Sequence, residues 1–111
     1  MPTLLLLYVI SGLVLVIISI PMILGKIKPN LFYGFRVQAT LEDPEIWYAV
    51  NRYFSKFLLI TGLGVMVGSI ALYFIPGISV DAYALACLGI FLAFFIPAMT
   101  LSWKYMNSLK K

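Results

Sequence analysis

The sequence predicts an all-α integral membrane protein with three transmembrane helices, and three observations carry that prediction. Hydrophobic residues make up 63% of the 111 and charged residues only 11%, whereas a soluble domain carries about 45–50% and about 25%. Three stretches free of ionisable side chains, Leu4–Leu24, Phe57–Ile75 and Ala82–Trp103, approach or exceed the roughly 20 residues a helix needs to cross a hydrocarbon core. All eight lysines and arginines lie outside those stretches. With a mean hydropathy of +1.05, too little polar surface remains for a disordered chain, a secreted disulfide scaffold or a soluble enzyme domain. The chain reads as one membrane domain, 1–111. A single cysteine, Cys87, and no histidine leave no disulfide framework and no His/Cys metal cluster.

The first span, 4–24, lacks a basic segment before it, outruns a signal peptide's apolar core and precedes no small-x-small cleavage site. It reads as a retained helix. Pro21 is expected to kink or fray its end, and Gly25-Lys26 with Pro29-Asn30 terminate it. The second span, 57–75, and the third, 82–103, are joined only by 76–81 and so form an antiparallel hairpin. Pro97 is expected to kink the third. A basic tail, 104–111, follows.

Lys26, Lys28, Arg36, Arg52 and Lys56 lie between the first two spans, and Lys104, Lys110 and Lys111 in the tail. The N-terminal stub and the hairpin loop hold none. Short loops rich in Lys and Arg stay cytoplasmic, so the N-terminus is expected outside and the C-terminus inside a cell membrane. The net charge of +4 is thereby a property of membrane flanks, and nucleic acid is not an expected partner; the lipid bilayer is.

Lipid gives no hydrophobic drive for helices to associate, so small residues that permit close approach mark contact faces. Gly64 and Gly68 on the second span are expected to meet Gly89 and Ala93 on the third, with a homodimer seam along Gly64 and Gly68 as the alternative. Cys87 reads as a small packing residue. No span carries the ionisable residue that marks proton or ion pathways, and no nucleophile–base pair or metal set is visible. The expectation is binding rather than catalysis, without cofactor or metal.

The connector, 25–56, is far longer than the two to eight residues that usually join packed helices. In its second half Asp43 reads as an N-cap, Pro44 as the first helical residue and Glu45 as an acid in the positive first turn. Ile46, Trp47, Val50, Tyr53, Phe54 and Phe57 share an arc of about 120°. This amphipathic helix, 44–56, either lies in the headgroup layer, folds back on the spans or runs on into the second span. In the first half, Pro29-Asn30 makes a turn and Gly34 frees the backbone. Arg36 there either reaches lipid phosphate or takes a carboxylate, or converges with Trp47 and Asn51 on a recognition surface.

Pro29-Asn30-x-x-Tyr33-Gly34-x-Arg36, then Thr40, Trp47 and Asn51, resembles the signature of the SdpI family of small prokaryotic membrane proteins. The resemblance runs from about Pro21 to Ile75; the third span is similar only in character. The family takes its name from an immunity protein that protects Bacillus-type cells from their own secreted killing-factor toxin. That member is longer, with more spans, and also recruits a transcriptional repressor to the membrane. The position after the arginine, often threonine in the family, is Val37 here. The resemblance implies a polytopic, non-enzymatic protein of toxin immunity or associated signalling, whose partners are a toxin peptide or a cytoplasmic regulator. Two other classes stand beside it: a structural accessory subunit of a larger membrane complex, and, with less to support it, a homo-oligomeric channel or carrier.

Overall fold

The computed structural model describes residues 2–28 and 41–109. Three helices account for nearly all of them: α1 (Pro2–Ile23), α2 (Pro44–Tyr73) and α3 (Val80–Leu109). All three are long and apolar enough to cross a membrane. They form an elongated bundle of 54 × 23 × 18 Å, with α2 packed between α1 and α3.

The helix ends inside the chain have local causes. Gly25 takes φ +72°, and its N–H and that of Lys26 donate to the carbonyls of Met22 and Pro21 at 3.2 and 2.9 Å. This is the paired 5→2 and 6→1 pattern that closes a helix on a left-handed glycine. Asp43 caps α2, its Oδ1 accepting from the Glu45 N–H at 2.9 Å, with Pro44 opening the helix. Gly77 at φ +77° turns the chain between α2 and α3, and Ser79 Oγ receives the Ala82 N–H at 3.1 Å at the start of α3. Pro21 and Pro97 both sit inside their helices.

The amphipathic segment is the first half of α2 and not a separate surface helix. No breaker separates Phe54 from Phe57, and the helix runs unbroken for 30 residues. At 1.5 Å per residue that is about 45 Å, more than the roughly 30 Å of hydrocarbon. The first turns therefore project beyond it. Trp47 and Val50 are fully buried and Phe54 nearly so; Val50 and Phe54 belong to a cluster with Met22 from α1 and Ala98 and Met106 from α3. Tyr53 stacks on Tyr105 with centroids 4.4 Å apart. In this projecting part, where water or headgroups are the alternative, burial contributes about 1.5–3 kcal/mol per large apolar side chain.

Inside the spans, glycines set the contacts, in a pairing that differs from expectation. The closest approach is between α1 and α2: a Cβ on Gly12 would lie 2.6 Å from the Gly62 carbonyl oxygen, and one on Gly62 equally close to that of Gly12. Gly64 and Gly68 do face α3, where they receive the Phe94 ring and the Ile90 side chain. Gly89 opens onto empty space and Ala93 is exposed, so these two are not the partners of that face. Glycine notches on α2 are filled by large side chains because a knob in a notch makes more dispersion contacts than two smooth faces. The seam along Gly64 and Gly68 is thus occupied from within the chain.

Candidate functional site

Lys26, Lys28, Arg52, Lys56 and Lys104 gather where α1 ends, α2 begins and α3 ends, because the antiparallel order brings those three termini together. This basic end is also where the connector leaves α1. A helix C-terminus presents carbonyls without intrahelical donors and a partial negative charge. Arg52, on the third turn of α2, donates from Nε to the Ile23 carbonyl at 3.0 Å. Its Nη2 would stand 3.0 Å from any Cβ at position 25. Glycine there thus serves both the turn and the guanidinium. One cation thereby supplies a donor to an orphan carbonyl and complements the helix dipole.

Towards the start of α2, the Trp47 indole N–H donates to the Ile27 carbonyl at 2.9 Å, while its ring is wholly buried. Arg52 and Trp47 therefore hold the backbone leaving α1 at Ile23 and at Ile27. Asn51, only 2% exposed, donates from Nδ2 to the Trp47 carbonyl at 3.0 Å. Trp47 and Asn51 thus act from the interior and do not themselves form an exposed recognition surface: Trp47 holds the start of the connector, and Asn51 bonds back to the Trp47 carbonyl within α2. The other signature residues, Pro29, Asn30, Tyr33, Gly34, Arg36 and Thr40, lie outside the described residues, as does any convergence of Arg36 with Trp47 and Asn51.

Beside this clamp a cavity of about 420 Å³ opens between the first turns of α2 and the last of α3, with Asp43, Glu45, Ile46, Ala49 and Leu109 on its walls. A second, apolar groove of about 470 Å³ lies within the spans. Tyr8, Ser11 and Leu15 of α1 face Leu88 and Phe91 of α3 across Val65 of α2. Tyr8 ties the two walls by donating to the Ala84 carbonyl at 2.9 Å. Tyr83, fully buried, donates to the Ser69 carbonyl at 3.0 Å. Among the described residues, no group of three His, Cys, Asp or Glu side chains stands together to hold a metal ion.

Sequence reasoning counts Arg52 only among the loop's positive charges and gives no role to Gly12, Tyr8 or Tyr83. A signal for the arginine exists: a glycine directly after an apolar span marks a helix end that needs donors. Nothing in the sequence says which cation supplies them.

Fold and site together define a small polytopic membrane protein with, among the described residues, three helices long and apolar enough to span a membrane, and a long connector held at its start at the basic end of the bundle. The chain belongs to the SdpI/YfhL protein family, whose model matches residues 26–102, from the clamped segment through most of α3. No curated protein and no solved structure matches it.

Proposed function

We propose that this chain is a membrane immunity-type protein that acts by binding a membrane-active toxin peptide, or a regulator that responds to one, and not by catalysis. The observation that carries the reading is the family match across the clamped connector and the two spans that follow it. The clamp supports it: a buried tryptophan and an arginine, both on α2, are committed to positioning the start of one loop, as a binding element requires.

The orientation belongs to the same proposal. With the basic end cytoplasmic, the N-terminus and the hairpin turn face outwards and the clamped connector faces inwards. A toxin arriving from outside then meets the spans within the bilayer, and the connector is placed for a cytoplasmic regulator. The test is survival of a toxin-sensitive strain lacking its own immunity protein, expressing this chain or Arg36→Ala at equal membrane abundance. The proposal expects protection by the wild type and its loss in the variant. No protection by a well-inserted wild type overturns the immunity reading, and protection by both moves binding from the connector to the spans.

A further inference from the structure

Among the described residues, three cations at the basic end have no protein counter-charge. Arg52 and Lys56 are four residues apart on α2, hence neighbours on one face, and Lys26 follows the glycine against which Arg52 rests. All three are exposed. Arg52 spends Nε on the Ile23 carbonyl, which leaves both Nη groups to donate elsewhere. Neither it nor Lys26 nor Lys56 forms an ion pair among the described residues. Of the chain's four acids, Glu42, Asp43 and Glu45 stand at or before the start of α2 and Asp81 opens α3 at the hairpin end.

The depth of the cluster selects its ligand. The uncharged stretch of α1 ends at Leu24 and that of α2 begins at Phe57, so the three cations sit where hydrocarbon gives way to headgroups. An arginine whose Nε is anchored offers its remaining fork as a fixed pair of donors, the geometry that suits two oxygens of a phosphate. Flanking lysines add charge without demanding orientation.

We propose that Lys26, Arg52 and Lys56 form a binding site for the phosphodiester headgroup of an anionic phospholipid, docked against the end of α1. The lipid's single negative charge offsets part of the cluster's charge, and Arg52 ties it to the clamp that positions the connector. This inference is independent of toxin immunity.

The test is native mass spectrometry of the full chain in detergent, titrated with phosphatidylglycerol or with zwitterionic phosphatidylcholine. Each cation near an anionic surface contributes about 1 kcal/mol, so Lys26→Gln with Lys56→Gln is expected to weaken phosphatidylglycerol binding about 30-fold. Both side chains are exposed, so the double variant keeps its fold, checked by its unfolding midpoint. Lys110→Gln with Lys111→Gln removes the same charge from the tail and is expected to leave binding nearly unchanged. Equal retention of phosphatidylcholine, or equal weakening by the tail variant, overturns the site as a specific one. Displacement of the lipid by excess inorganic phosphate overturns the lipid as its ligand in favour of a free anion.

Discussion

Replacing Gly62 by alanine adds one methyl group where two backbones cross. The new Cβ would stand 2.6 Å from the Gly12 carbonyl oxygen and 2.9 Å from Val16 Cγ2. Ordinary contact begins at 3.4 Å, so α1 must retreat by up to 0.8 Å, because the nearest neighbour is backbone and cannot rotate away. A radial gap of that size forfeits a quarter to a half of each dispersion contact along the interface, and overpacking of this kind costs about 1–3 kcal/mol. Alanine returns about 0.5–1 kcal/mol through helix propensity, leaving a net loss of up to about 2.5 kcal/mol and about 1.3 kcal/mol at the middle of both ranges. Gly89→Ala receives the same propensity gain against open space and is expected to be neutral or slightly stabilising. Unfolding in mixed micelles of rising dodecyl sulfate fraction measures both. Gly12→Ala combined with Gly62→Ala should cost less than the sum of the two, because one retreat relieves both clashes. The reasoning fails if Gly62→Ala is as stable as wild type, or if Gly89→Ala is the more damaging change.

Other substitutions probe the remaining contacts. Trp47→Phe keeps most of the ring volume but leaves the Ile27 carbonyl without its donor; the same micelle titration should show a loss of about 1–3 kcal/mol, rising to about 3–5 for Trp47→Ala as a cavity opens. Arg52→Gln should weaken the end of α1 by about 0.3–1 kcal/mol, read as faster hydrogen exchange at Leu24, Gly25 and Lys26 while mid-helix amides are unaffected. Ser55 Oγ and Ser102 Oγ are buried without a hydrogen-bond partner among the described residues, so Ser55→Ala and Ser102→Ala should leave stability unchanged or raise it by up to about 1 kcal/mol each; a clear loss would mean that the hydroxyls are satisfied.

The three spans are legible in the sequence because a chain that excludes charge over some twenty residues, three times over, can be solvated only by lipid. The ends of α1 and α2 are legible too: Gly25 with Lys26, and Asp43-Pro44-Glu45, are local signals whose chemistry does not depend on the rest of the fold. The fate of 44–56 is not. An apolar arc of Trp47, Val50 and Phe54 looks the same whether it meets lipid, its own bundle or a partner, and only the bundle's Met22, Ala98 and Met106 decide it. Packing faces are hidden for a related reason. A glycine announces that something comes close but not what, so Gly64 and Gly68 invite a match to other small residues although Phe94 and Ile90 fill them, and nothing draws attention to Gly12 opposite Gly62. Trp47 and Asn51 stand out as residues of the signature, but burial, which no single sequence displays, makes them interior residues, Trp47 as a support of the connector and Asn51 bonded within α2.

On the immunity proposal, protection depends on the clamped basic end, and two equivalent deletions at opposite ends of the bundle test that dependence. Trp47→Phe removes a donor to the Ile27 carbonyl at the basic end, and Tyr83→Phe removes a donor to the Ser69 carbonyl near the hairpin. Both are measured for protection of a toxin-sensitive strain at matched membrane abundance. The account predicts that Trp47→Phe loses protection while Tyr83→Phe keeps it. Equal protection by both, or loss confined to Tyr83→Phe, would contradict it.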